Sequence, residues 1–441
     1  MKLTYTFPRF EETVLSNGLH LIWLEDHEQP VLKLALQIPT GRQFDPPGRE
    51  ATAELASSLA QKGPSSFEAE QFSRKIESAG AQISGDVGEQ LISIELHVLQ
   101  SQASAIVPLF WDMIRFPAMN TKEFSRLRRE MLTEMQAEYA DPSTLAAKHL
   151  QVMVFGRAHP GGRVHTSEAA KRISLEEVKL FWDSFVYPHG ATLIVAGAYD
   201  GNQRTSWEEL FSGWQKSGTA RELKDVKYPA DSAPIRLVDK PDLSQTTIML
   251  GAKTIGELHP DKLALSMGNY ILGGGNFSSR LMNRVRSEIG KTYGIGSQLS
   301  CSREWGLFSI STTTQNRQLK EVLSVIHTVL EDLFENGVTD DELQKAKQFF
   351  IGHMAFELEG IHNVADKLLW LRFYGREKEY IEGYASRLAA LTAKDINNAL
   401  RNHYKHQQYA TVAVGNRKEI ESQLGGFGDL QLRGYRSDPY K

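Results

Sequence analysis

A chain of 441 residues is two to three times the length of a typical domain, so two large units, or four smaller ones paired into two, are expected. Its composition, 41% apolar, 24% charged and 9% aromatic, is that of an ordinary water-soluble globular protein and excludes a disordered chain. A net charge of −4 with interspersed signs excludes a basic nucleic-acid-binding face, and the single cysteine, Cys301, excludes both a disulfide framework and a multi-cysteine metal site.

No stretch reaches the roughly 18 consecutive apolar residues of a membrane span. Met1 to Phe10 lacks the apolar core and small-residue cleavage site of a signal peptide, so cytoplasmic residence is the expectation. From Glu12 to Pro39 the pattern reads strand, turn, strand: Val14-Leu15, an Asn17-Gly18 hairpin turn, Leu19 to Leu24, then the alternating run Leu32 to Ile38. Helical spacing follows over Arg49 to Lys62 and Ser65 to Ala79, stopped by Gly63-Pro64 and Gly80. Gln82 to Val98 reads as a hairpin, and helices follow at Ser101 to Ile114 and Thr121 to Tyr139, the latter ended by Asp141-Pro142. A further helical run, the turn at His159-Pro-Gly-Gly, a helix at Ser174 to Phe185 and the β-rich Ala191 to Ala198 complete a first α+β unit, 1–216.

Residues 217–234 turn polar, with Gly218, Pro229, Pro234 and no sustained periodicity, which is the composition of a linker. The second unit, 235–441, then repeats the order: strands at Ile235 to Asp239 and Thr246 to Ala252, a helix at Pro260 to Leu272, a hairpin of Tyr293 to Ser300 with Gly306 to Thr314, two long helices, and a final strand at Tyr409 to Val414. The expected fold class is therefore α+β in two structurally duplicated halves, each a mostly antiparallel sheet covered by helices.

Several near-motifs fail on chemistry. Gly273-Gly274-Gly275 has Ser278 where a dinucleotide loop needs its third glycine, and Gly290-Lys291-Thr292 has Val285 where a phosphate loop needs its first. His403 with His406, and His353 with Glu357, share a helical face, yet such pairs are common on solvated helices. Neither His-Glu-x-x-His nor His-x-x-Glu-His occurs.

Other segments carry a resemblance: Leu15-Ser-Asn-Gly-Leu, Lys62-Gly63, Glu77-Ser-Ala-Gly-Ala, the run Phe124 to Glu138 before Asp141-Pro142, His159-Pro160, Tyr187-Pro188 before Leu193-Ile-Val-Ala-Gly, and Ser279-Arg-Leu through Tyr293. In order and spacing the chain resembles the pitrilysin, insulinase and mitochondrial processing peptidase family of zinc peptidases. In that family His-x-x-Glu-His supplies two zinc ligands and a general base, with a third ligand from a downstream glutamate. The resemblance puts Glu54, Ser57, Ser58 and Glu134 in those four slots. Only Glu134 matches. Serine hydroxyls are poor zinc ligands and the base is missing, so no metal is expected on this chain; Glu54 and Glu134 are left as carboxylates able to share a hard cation.

The resemblance also implies that Arg286 and Tyr293 are substrate-binding residues reaching toward the scissile bond, since a guanidinium can donate paired hydrogen bonds to a peptide and a phenol can donate toward an oxyanion. A structural alternative has Arg286 paired to a carboxylate near Glu288 and Tyr293 starting a strand. The glycine run fits the family's glycine-rich loop or a helix cap with a tight turn. The resulting expectation is a non-catalytic, substrate-binding subunit of a two-chain zinc metallopeptidase, with zinc on a homologous catalytic partner bearing His-x-x-Glu-His. The alternative is an inactive homodimeric peptide-binding or scaffold protein. Unstructured peptide is the expected ligand in both.

Overall fold

The computed structural model describes residues 5–219, 235–405 and 407–440, so the expected linker lies, from residue 220 onward, outside the described residues. Twelve strands form two six-stranded sheets among the described residues. The first contains β1 (Glu11–Val14), β2 (His20–Glu25), β3 (Val31–Ile38), β4 (Gln82–Val87), β5 (Ile92–Leu99) and β6 (Thr192–Gly197), in the order β1-β2-β6-β3-β5-β4. The second contains β7 (Ile235–Asp239), β8 (Gln245–Ile255), β9 (Thr292–Cys301), β10 (Trp305–Gln315), β11 (Ala410–Gly415) and β12 (Leu430–Gly434), in the order β12-β7-β11-β8-β10-β9.

Superimposing the two orders makes the duplication explicit: β2, β6, β3, β5 and β4 correspond to β7, β11, β8, β10 and β9. In the first sheet β6 lies between β2 and β3, in the second β11 lies between β7 and β8, and most pairings are antiparallel. The outer strand breaks the symmetry. In the first sheet β1 precedes β2 and pairs antiparallel through the Asn17-Gly18 turn, whereas in the second β12 arrives from the far end of the chain and pairs parallel to β7. Thus Tyr409 to Val414 is not the last strand as expected. The short, half-buried β12 gives only a weak alternating signal.

β6 and β11 are buried on both faces, which explains why they read as continuous apolar runs, whereas β3 keeps the alternation of Leu32 to Ile38. Leu32, Leu34, Leu36, Leu193 and Val195 face the helices of their own half, while Ala35, Ile194 and Ala196 face the other way. What covers that second face comes from the opposite half. The helix Ile361–Phe373 packs Val364, Ala365, Leu368 and Leu369 onto Ile22, Leu24, Ile194 and Ala196 of the first sheet. Reciprocally, the helix Pro142–Phe155 packs Leu145, Ala146 and Leu150 onto Val238, Val412 and Val414 of the second. Polar locks accompany both exchanges. Buried Lys33 of β3 reaches Asp366 at 2.6 Å and Glu95 at 3.2 Å, and Arg236 of β7 donates to His149 Nδ1 at 3.1 Å and to the Pro439 carbonyl at 2.8 Å.

The expected helix Pro260 to Leu272 is also modified. Its α portion is Lys262–Asn269, and Tyr270–Gly274 winds wider into a π turn closed by Gly275 N–H donating to Tyr270 O at 2.8 Å. Among the described residues no helix is long and apolar enough to cross a membrane.

Candidate functional site

The helix Thr52–Ala60 carries three of the four slots where family members hold zinc. It is clamped at its start by Asp45, whose carboxylate accepts the backbone N–H groups of Ala51 and Ala53 at 2.8 Å each and so holds Ala51 in a left-handed conformation, φ 93°. Burial drives the Asp45 carboxyl up to about 7 in spite of those two donors. Glu54 points not to a ligand set but to an ion-pair cluster. Its carboxylate lies 3.6 Å from Arg42 Nη1 and 3.2 Å from His165 Nδ1, with the Lys148–Glu138 pair close enough to influence it. Burial raises the Glu54 carboxyl, with Arg42 opposing. Burial also pushes the His165 imidazole down to about 3, reinforced by Arg42 and Lys148, so the ring meets Glu54 uncharged.

Ser57 is buried, and its hydroxyl accepts from Gln61 Nε2 at 3.2 Å. Glu134 stands exposed on the helix Thr121–Ala137, and its carboxylate forms no hydrogen bond or ion pair among the described residues. Glu54 and Glu134 complete no group of three metal-capable side chains; among the described residues the only such group is elsewhere. The slots therefore do not fit a peptidase zinc: two are neutral hydroxyls, and Arg42 and Lys148 supply positive charge beside the third. Restoring the motif by Glu54→His, Ser57→Glu and Ser58→His is expected to leave zinc binding at this helix weak until Arg42→Ala is added. In a chelator-competition titration, equal affinity with and without Arg42 would contradict this account.

In the second half, Arg286 and Tyr293 come together. Arg286 belongs to a π-helical segment, Met282–Glu288, and Tyr293 is the second residue of β9. Lys291 N–H donates to Val285 O at 3.1 Å, and Gly290 takes the left-handed conformation that reverses the chain between them. Thr292 anchors the strand: its hydroxyl lies 2.8 Å from both Thr312 Oγ1 and the Thr313 carbonyl, beside the bulge between Thr312 and Thr314. The result projects Tyr293 into solvent, 91% exposed. The Arg286 guanidinium is stacked between two rings, 5.3 Å from Tyr293 and 4.6 Å from Phe277, itself 68% exposed. The carboxylate alternative for Arg286 is not what forms, because Glu288 pairs with Arg284.

Phe277 was not singled out from sequence, where a phenylalanine after a glycine run has no distinguishing spacing. The run itself serves close packing within this chain. A Cβ on Gly273 would fall 2.5 Å from the Ser297 backbone nitrogen, so the π turn lies against β9 only because that position is glycine. Arg280, which opens the segment, is held by Glu342 at 2.7 Å and Asp332 at 3.0 Å. Of the other histidine pairs, His353 and Glu357 are exposed and 3.9 Å apart, with Glu357 also paired to Lys367, and His406 lies outside the described residues. Burial raises the Cys301 thiol to about 11, which makes it inert.

The insulinase sequence model (Peptidase family M16) matches residues 21–163, and the Peptidase M16 inactive domain matches 172–350. An uncharacterized zinc protease of Mycobacterium leprae is 24% identical, the alignment covering 84% of each chain. A Helicobacter pylori protein described as a non-peptidase homolog is 19% identical over 90% of this chain and 92% of its own. The crystal structure of a peptidase M16 inactive domain from Pseudomonas fluorescens superposes with a TM-score of 0.84 at 23% identity, covering 93% of this chain and 98% of that one. Two family models in succession over most of the chain, and one fold over nearly all of it, place both halves in a single lineage: the chain belongs to the insulinase (M16) peptidase family.

Proposed function

We propose that this chain is the non-catalytic, substrate-binding subunit of a two-chain zinc metallopeptidase, enclosing peptide together with a homologous partner that carries zinc and the general base. The observation that carries this reading is the contrast between the two candidate sites. The zinc slots hold hydroxyls and an ion-pair cluster, while Arg286 with the exposed rings of Tyr293 and Phe277 forms an organised array that has no partner carboxylate among the described residues. A half-buried guanidinium lying within cation–π distance of two exposed rings has N–H groups to offer a peptide carbonyl or carboxylate, and an exposed phenol beside it can donate to the same group. Such donors stabilise charge that develops at a carbonyl oxygen when they are fixed in place before reaction. The inactive-domain match and the non-peptidase name of the Helicobacter relative support the absence of chemistry from this chain.

The test is co-purification from the source organism. A tagged chain is expected to recover a homologue with intact His-x-x-Glu-His, and the pair to cleave unstructured peptides in a chelator-sensitive way. Zinc-dependent cleavage by the purified chain alone would refute the proposal, and recovery of self-dimers alone would favour a homodimeric scaffold.

A further inference from the structure

Outside both sites described above, one constellation of ligand-type side chains was not legible as a motif. His259 and Asp261 lie in the turn before the helix Lys262–Asn269, and His403 is the last residue of the helix Ala393–His403. They are 142 residues apart in sequence at the nearest, and packing alone brings them together. Each offers one ligand atom, and the three atoms lie within 4.8 Å of one another. His403 Nε2 is 2.8 Å from Asp261 Oδ2, and His259 Nδ1 is 4.0 Å from the same oxygen. The two imidazoles meet edge to face, with ring centres 4.9 Å apart.

The scaffold behind these side chains is rigid. The turn is closed by His259 N–H donating to Gly256 O and Lys262 N–H to His259 O, at 3.2 and 3.0 Å. The two helices are locked by apolar contact: Leu400 comes so close to Gly268 that a Cβ there would fall 2.9 Å from it, and Ile396, Ala399 and Leu265 are buried in the same core. The ligand atoms remain reachable from solvent, since His259 and Asp261 are each 39% exposed and His403 is 22% exposed. The nearby cation, Lys262, is neutralised by Glu257 at 3.0 Å. His403 also sits at a helix C-terminus, where the backbone carbonyls favour positive charge.

We propose that His259, Asp261 and His403 form a binding site for a divalent transition-metal ion, zinc being the best match. Two imidazoles and one carboxylate are a borderline-soft set suited to zinc, and three protein ligands leave a fourth position for water or an outside ligand. Zinc bonds of about 2.0–2.2 Å require ligand atoms roughly 3.3 Å apart. The present separations bracket that value, so side-chain rotation suffices without movement of either helix. Asp261 N–H, which now donates to His259 Nδ1 at 3.1 Å, would release that nitrogen to the metal. The site is independent of the family's peptidase slots.

The experiment is titration of the chelator-stripped full-length protein with zinc alone, followed by calorimetry, and with cobalt, followed by its visible absorption. One equivalent is expected to bind, with the intense ligand-field band of a four-coordinate ion. His259→Gln and His403→Ala should each weaken binding at least tenfold, whereas Glu54→Ala should leave it unchanged. His259→Gln alters an exposed turn residue and so guards against a fold defect, with the melting temperature checked alongside. Absence of stoichiometric binding, indifference to both histidine variants, or loss on Glu54→Ala would each overturn the proposal. The first of these would reduce the triad to a hydrogen-bonded helix junction.

Discussion

Acidification should unfold this protein well before ordinary carboxylates titrate, with the urea midpoint falling steeply below about pH 6.5. The cause is a set of histidines buried in the neutral form. His149, almost fully buried on the helix Pro142–Phe155, accepts a hydrogen bond from Arg236 at Nδ1; burial first, then Arg236 and Arg433, hold it at about 3. His159 is sealed between Phe155 and Trp305, and burial with Arg163 nearby holds it at about 4. His165 is held at about 3 as described above. All three folded values lie below the unfolded value of about 6.5, so the unfolded chain takes up protons first. The stability these neutral rings contribute is complete above that pH and is lost as pH falls toward 4. Each contributes a slope of about 1.4 kcal/mol per pH unit. Buried Asp45, raised to about 7, acts in the opposite sense and offsets about one ring. A net slope of at most roughly 2.7 kcal/mol per unit remains, smaller where the raised Glu54 and Glu89 carboxyls titrate, and large beside a typical total stability of about 5–15 kcal/mol. Urea denaturation between pH 7 and 4.5 measures it, and His149→Leu should remove about half of the net slope. Stability that stays flat between pH 7 and 5 would refute the assignment. Because His149 and His159 lie on and just after the helix that crosses to the second sheet, hydrogen exchange should rise first in β11 and β7.

Most strands and helices were legible because their periodicity is local. The Asn17-Gly18 turn, the double-faced runs at Leu193 and Val412, and the stops at Gly63 and Asp141 each report a property of neighbouring residues. What sequence could not show is where a face is buried. The helices Pro142–Phe155 and Ile361–Phe373 look like ordinary amphipathic or apolar helices, and nothing in either indicates that it covers the other half's sheet. The same limit explains the sites. Once the resemblance sets Ser57 and Ser58 in the motif slots, the loss of a base and a ligand is legible, because ligand type is a local fact. That Glu54 is taken up by Arg42 and His165 depends on contacts between residues 12 and 111 positions apart, and the meeting of His259 with His403 spans the second half. Arg286 and Tyr293 are singled out only by the family resemblance, and Phe277, whose ring lies 4.6 Å from the Arg286 guanidinium, carries no such sign in the sequence.

On the proposed two-chain reading, replacing Arg286 in the reconstituted pair should cost about 10²- to 10³-fold in kcat/KM, the scale seen when a pre-positioned donor to a developing oxyanion is removed. The loss should fall on catalysis and not on folding. Among the described residues the ring contacts of the Arg286 guanidinium are with Phe277 and Tyr293, both largely exposed, and each exposed cation–π contact contributes only about 0.5–1 kcal/mol. Arg286→Ala should therefore leave the melting temperature and partner recovery almost unchanged. Arg286→Lys should not rescue, because an ammonium keeps the charge but lacks the planar fork that lies between the rings and donates two parallel hydrogen bonds. Tyr293→Phe keeps the ring face and removes only the hydroxyl, so it separates the two roles: a loss near that of Arg286→Ala means that the phenol itself donates to substrate, and a loss under about tenfold means that Tyr293 serves to orient the guanidinium. Phe277→Ala tests the other side of the stack. If the rings pre-organise the arginine, this variant should raise KM and lower kcat together even though Phe277 carries no donor. Full activity in Arg286→Ala, or a fall in activity matched by a fall in melting temperature, would remove the array from the substrate-binding role and return it to surface packing.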